Sequence, residues 1–138
     1  MASIRVLVVD DHTVVRRAVC SLLSTEPTLD VICETADGEE AVRKSEELKP
    51  DLILLDIGLP GISGIEAARR IRKVSPKSRI LFLSQHDSLH MAMEAMKTGA
   101  HGYIVKVDAA RDLLRGIRAI LDGTPFFSDR LIAQGGNP

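Results

Sequence analysis

The chain has 138 residues, of which 27% are charged and 45% hydrophobic, and its formal net charge is −1. That length suits one domain with a real core plus a short tail, and is too short for two ordinary domains. So balanced a charge gives no global field to draw in nucleic acid or an anionic membrane, so any DNA contact would have to come from another part.

Residues 4–9 (IRVLVV) open the chain as an apolar strand that runs into two acids, Asp10 and Asp11. The run is too short for the apolar region of a signal peptide or for a membrane span, and a cytoplasmic protein is expected. From His12 to Ser24, the residues Val14, Val15, Ala18, Val19, Leu22 and Leu23 recur at helical spacing, which predicts a helix with one buried stripe, ended by Pro27. Residues 29–34 (LDVICE) alternate as a strand near a sheet edge does. Ala36, Asp37 and Gly38 then turn into a helix over 39–48 with Ala41, Val42 and Leu48 inward, closed by Lys49 and Pro50.

Residues 52–64 (LILLDIGLPGISG) are the centre of the pattern. The unbroken run Leu52, Ile53, Leu54, Leu55, closed by Gly and Pro, reads as a strand buried on both faces, with Asp56 where it gives out. A carboxylate in that position requires a partner, because an unpaired buried charge costs roughly several kcal/mol even after relaxation. A helix follows over 65–74 through Ala67, Ala68, Ile71 and Val74, with Arg69, Arg70, Arg72 and Lys73 on its solvated face and Pro76 at its end. Residues 79–87 (RILFLSQHD) give another apolar strand, ending in the Ser84 hydroxyl, and Leu89, Ala92, Met93 and Met96 mark a helix stopped by Gly99. Residues 101–106 (HGYIVK) form the last strand, ending in Lys106, before a final helix through Leu113, Leu114, Ile117, Ile120 and Leu121 that stops at Gly123 and Pro125. Cys20 and Cys33 stand in separate elements without a CxxC or zinc spacing and read as reduced thiols. Met91, Met93 and Met96 read as core and surface filler, and His12, His90 and His101, which lack ligand spacing, as structural.

The order βαβαβαβαβα predicts an α/β doubly wound (βα)5 fold, a five-stranded parallel sheet with helices on both faces and the flavodoxin-like strand order 2-1-3-4-5. In that order the strands ending in Asp10/Asp11, Asp56, Ser84 and Lys106 lie side by side, with their polar residues at the carboxyl edge where open α/β sheets place ligands. Three carboxylates gathered there repel one another unless a cation screens them, and a hard divalent ion, Mg²⁺ or in its place Mn²⁺, is the simplest solution. Mg²⁺ keeps waters and takes phosphate oxygens, so the arrangement suits a phosphoryl group, with the Lys106 ammonium and the Ser84 hydroxyl holding its oxygens. Asp56, on the middle strand, is within reach of both metal and hydroxyl and is assigned as the nucleophile that forms an aspartyl phosphate.

The motifs DD at 10 and 11, LLD at 54–56 with LPGISG after it, LS at 83 and 84 and GYIVK at 102–106 stand in one order and spacing. Together they resemble the receiver domain of two-component response regulators, the CheY-like family, and are most similar to the NarL/LuxR type. The resemblance runs from about residue 4 to 121. It implies that Asp56 is the phosphoacceptor, that Asp10 and Asp11 position Mg²⁺ with Asp11 as direct ligand, and that Gly58 offers its backbone carbonyl to the metal. It further implies that Ser84 is the switch hydroxyl, Lys106 the phosphate-binding lysine and Tyr103 the aromatic that follows the hydroxyl. The implied donor is a sensor histidine kinase, and the implied output is partner exchange on the fourth-helix, fifth-strand, fifth-helix face, with homodimerisation open to either the first helix with the fifth or the fourth-to-fifth-helix face. No enzymatic turnover is expected beyond self-phosphotransfer and autodephosphorylation. Relatives of this type carry a helix-turn-helix DNA-binding domain after a linker. The expected division here is a receiver over 1–123 and the start of a linker over 124–138, with DNA reached only through an effector domain absent from this chain and with Ser128 or Asp129 as a helix N-cap.

Three residues depart from the family pattern. Val107 stands where proline is common after the lysine, so no cis peptide is expected. Gln85 follows Ser84 where a small residue is common and narrows access to the phosphoryl site. His86 offers a polar group that orients or blocks the hydrolytic water. Two rivals belong to other classes: a phosphatase with a covalent aspartyl intermediate, which normally needs a second acid where Gly58 stands, and a pseudo-receiver that docks without being phosphorylated.

Overall fold

Each central strand divides its residues between two cores, as the side-chain alternation of a strand buried on both faces requires. The computed structural model describes residues 3–135 and contains β1 (Ile4–Val9), α1 (Thr13–Ser24), β2 (Leu29–Thr35), α2 (Gly38–Leu48), β3 (Leu52–Leu55), α3 (Gly64–Val74), β4 (Arg79–Ser84), α4 (Leu89–Met96), β5 (Gly102–Val105), a 3₁₀ turn (Lys106–Asp108), α5 (Ala109–Leu121), β6 (Phe126–Phe127) and α6 (Asp129–Ile132). The first residues of the expected receiver and the last of the expected linker lie outside the described residues. Leu7, Val9, Ile53, Leu55, Ile80, Phe82, Tyr103 and Val105 face α2, α3 and α4. Their neighbours Val6, Val8, Leu52, Leu54, Leu81, Leu83 and Ile104 face α1 and α5. Among the described residues, no helix is long and apolar enough to cross a membrane.

The helices follow the expected spans, and their buried faces are narrower than the sequence suggests. In α1 only Val19 and Leu23 are buried, while Val14 is 82% exposed. In α2 the inward positions are Gly38, Ala41 and Ser45, whose hydroxyl bonds back to the Ala41 carbonyl at 2.7 Å, with Val42 and Leu48 only half-buried. Side-chain caps fix three helix starts. Asp37 accepts from the Glu40 N–H, Ser63 from Glu66 and Ser88 from Met91, satisfying donors that a helix leaves unpaired.

The sheet is parallel and its order is β2-β1-β3-β4-β5-β6. The expected count of five strands is therefore corrected to six, with the order 2-1-3-4-5 extended by one. The sixth strand comes from the segment expected as the start of a linker. Phe126 pairs with Gly102 and Phe127 with Tyr103. The reason is steric. A Cβ on Gly102 would lie 2.7 Å from the Phe126 carbonyl, and one on Gly116 would lie 3.0 Å from the Phe126 ring, so two residues without side chains leave the room that Phe126 fills.

Beyond β6 the chain folds back onto the domain. Leu131 is fully buried in the core that also holds Tyr103 and Val105. Arg130 makes a two-pronged pair with Asp108 at 2.8 and 3.0 Å. Ser128 occupies the N-cap position of α6 as expected, but its side chain does not cap that helix. It accepts the Val105 N–H at 2.9 Å instead, closing the end of β5.

Candidate functional site

The carboxyl ends of β1, β3 and β5 bring Asp10, Asp11, Asp56 and Lys106 together. Asp10 and Asp56 are each 3% exposed, and Asp11 stands at the rim. The Asp56 N–H donates to the Val9 carbonyl at 3.1 Å, which carries the β1–β3 ladder up to the acid itself. Lys106 crosses from β5 and places its Nζ 2.8 Å from Asp10 Oδ2 and 3.1 Å from Asp56 Oδ2. Burial disfavours its ammonium, but the hydrogen bond it donates to Asp10 and the charge of Asp56 outweigh that and hold its pKa above the ordinary lysine value.

Three carboxylates against one ammonium leave the pocket negative before any contribution from His12, and a divalent cation matches that excess. One ligand atom from each of Asp10, Asp11, His12 and Asp56 falls within 4.8 Å of the others, close enough for a single ion to touch them. The donor set is dominated by carboxylate oxygens, as a hard ion such as Mg²⁺ prefers, so the residues fit the metal expected from the sequence. Gly58 sits at the open edge of this group, and its N–H approaches Asp56 Oδ1 at 3.4 Å.

His12, read from the sequence as structural, belongs to the cluster. Its Nδ1 lies 3.3 Å from both Asp10 Oδ1 and Asp11 Oδ1, and its N–H donates to Asp10 Oδ1 at 2.9 Å. Only its position directly after the acid pair hinted at this, since the contact depends on how the turn into α1 folds. The loop from Ile57 to Ser63 is held by bonds from the Leu59 and Gly64 N–H groups to the Ile57 carbonyl. A Cβ on Gly64 would stand 1.9 Å from the Asp56 carbonyl oxygen. The first residue of α3 therefore packs directly against the backbone of Asp56.

Ser84 is fully buried at the end of β4, and its Oγ accepts the His86 N–H at 3.1 Å. Tyr103 is fully buried too, its ring 6.1 Å from that of Phe82, and its hydroxyl donates to the His86 carbonyl at 2.9 Å. Burial pushes the Tyr103 phenol up, with the Ser84 hydroxyl beside it acting in the opposite direction. Both expected switch residues thus meet at the backbone of His86. Gln85, expected to narrow the site, is exposed.

The whole arrangement is a deep acidic edge with one lysine across it and a hydroxyl on the neighbouring strand. Comparison with known proteins agrees with that geometry. A family model described as the response regulator receiver domain matches residues 6–118. The response regulator protein VraR of Staphylococcus aureus is 36% identical over 132 residues, covering 96% of this chain. The chain spans 63% of the length of that relative. Among solved structures, a two-component response regulator of the LuxR family from Aurantimonas sp. superimposes with a TM-score of 0.91 at 36% identity, covering 96% of this chain and 94% of that one. The response regulator domain of CheB from Thermotoga maritima gives 0.80 at 34% identity, covering 87% and 97%.

Proposed function

The chain belongs to the response regulator receiver family, and from that membership we propose that Asp56 accepts a phosphoryl group from the phosphohistidine of a sensor histidine kinase. The observation that carries this reading is the Lys106 ammonium held between Asp10 and Asp56 at the carboxyl edge of the sheet. An Asp56 carboxylate oxygen attacks phosphorus, a P–O bond forms as the donor's P–N bond breaks, and the electron pair returns to the donor imidazole. Lys106 turns from Asp56 to an oxygen of the transferred group, and Ser84 donates its hydroxyl to another. Asp11, Asp56 and the Gly58 carbonyl, together with Asp10, would hold a Mg²⁺ ion, which would supply charge neutralisation when bound.

Phosphorylation then reorganises the His86 region through Ser84 and Tyr103 and changes which partners the face of α4, β5 and α5 accepts, homodimerisation included. The receiver unit extends through α6, since Leu131 is part of its core. The likeness to a LuxR-family regulator supports a transcriptional output in the cytoplasm, with any DNA contact made outside the receiver domain. Turnover as a phosphatase is disfavoured by Gly58, which offers no side-chain acid two residues past Asp56. The set of Asp10, Asp11, Asp56, Ser84 and Lys106 disfavours a pseudo-receiver. Incubation with acetyl phosphate and Mg²⁺ is expected to add about 80 Da, one phosphoryl increment, to the wild-type protein and nothing to Asp56→Asn. Equal labelling of the two proteins would refute the assignment.

A further inference from the structure

The segment after β6 closes over the loop that follows Ser84. Gln134 reaches that loop with both ends of its amide. Its Nε2 donates to the Asp87 carbonyl at 2.7 Å, and its Oε1 accepts the Leu89 N–H at 3.0 Å. From the other side, the Tyr103 hydroxyl holds the His86 carbonyl and Ser84 Oγ holds the His86 N–H. The backbone polar groups of this one loop are thus shared between the two switch residues and the C-terminal arm.

The arm is tied to β5 as well. The Ser128 N–H donates to the Tyr103 carbonyl at 3.1 Å, and Ser128 Oγ accepts from Val105, the residue before Lys106. Arg130 pairs with Asp108 just beyond Lys106, and Leu131 fills the core beside Tyr103. Leu131 anchors the arm, whereas the Gln134 bonds are exposed and individually weak, so they can be made and broken at small cost.

We propose that residues 128–134 are the docked occupant of a surface formed by the 86–89 loop and the edge of β5, and that this docking opposes phosphorylation at Asp56. The proposal rests on the reading of Asp56 as phosphoacceptor. A phosphoryl group on Asp56 draws Ser84 Oγ toward itself and away from the His86 N–H. The loop backbone then shifts at Asp87 and Leu89, and the two Gln134 bonds lose their geometry together. The arm loosens, and so does the point from which the chain continues to any output domain. Coupling of this kind is reciprocal, so loosening the arm first must favour the phosphorylated conformation by the same factor.

The test uses the 138-residue chain and beryllofluoride with Mg²⁺ as the phosphoryl mimic, read by calorimetry and by amide hydrogen exchange. Binding of the mimic is expected to speed exchange in residues 126–135. Gln134→Ala, a change at an exposed side chain, is expected to bind the mimic about fivefold more tightly than wild type, and Gln134→Ala with Arg130→Ala at least as tightly. Equal affinities with unchanged exchange in the arm would overturn the proposal while leaving the Asp56 reading intact, and slower exchange with weaker binding by the variant would do the same. No binding by any of these proteins would overturn the Asp56 reading and this proposal with it.

Discussion

At the scale of single residues, the site depends as much on side chains that are missing as on those that carry charge. Gly64 has no room for a Cβ because the carbonyl of Asp56 occupies it, whereas a Cβ on Gly58 would meet nothing within 4 Å. Gly64→Ala is therefore expected to lower the unfolding free energy by about 1–3 kcal/mol in urea and to reduce acetyl phosphate labelling, because relief of the clash displaces the backbone of Asp56, the proposed acceptor. Gly58→Ala is expected to fold as wild type. Equal stability of Gly64→Ala and wild type would show that α3 does not set the position of Asp56. The acids, the lysine and the hydroxyl were legible in the sequence because each ends an apolar run, and a parallel sheet puts all such ends on one edge. The roles of Gly64 and His12 were not, since both follow from how a loop folds back on Asp56 or Asp10.

Among the elements, the C-terminal arm departs most from what the pattern of residues suggested. Two residues cannot display a period of two, so Phe126 and Phe127 carry no visible strand signal, and a four-residue helix shows no stripe. What orders them is tertiary: the open edge of β5, the space at Gly102 and Gly116, and the slot that takes Leu131. Leu131→Ala should accordingly cost ~2–4 kcal/mol of stability, as a fully buried leucine does. A cost near zero, measured by urea unfolding, would mean that the arm adds nothing to the core. The same tertiary control explains α1, where six apolar residues at helical spacing yield only two buried ones. Val14, in the first turn of α1, is 82% exposed, and spacing alone does not reveal which turns of a helix the core reaches.

For the molecule as a whole, the alternation of apolar strands and amphipathic helices was enough to specify the layers, the order of the first five strands and the edge that gathers the acids, because a parallel sheet buried on both faces admits few other arrangements. Global stability carries a pH signature from His101, whose Nδ1 accepts the Ile80 N–H at 3.1 Å across β4 and β5. Burial, with Arg72 and Arg79 nearby, holds its pKa below the ordinary value. The unfolded chain then binds the proton more readily, so this contribution is complete above about pH 6.5 and is lost as pH falls below it. Urea unfolding is expected to show wild-type stability dropping below that pH and a shallower drop for His101→Gln, with parallel curves arguing against the role. The central claim is that Asp56 itself receives the phosphoryl group, and its most direct test is borohydride trapping after acetyl phosphate treatment with Mg²⁺. Sequencing of the tryptic peptide spanning residues 45–69 by mass spectrometry should find homoserine in place of aspartate at position 56 and unmodified aspartate at 51. Trapping at Asp51, at Asp10 or Asp11, or at none of them would contradict the account.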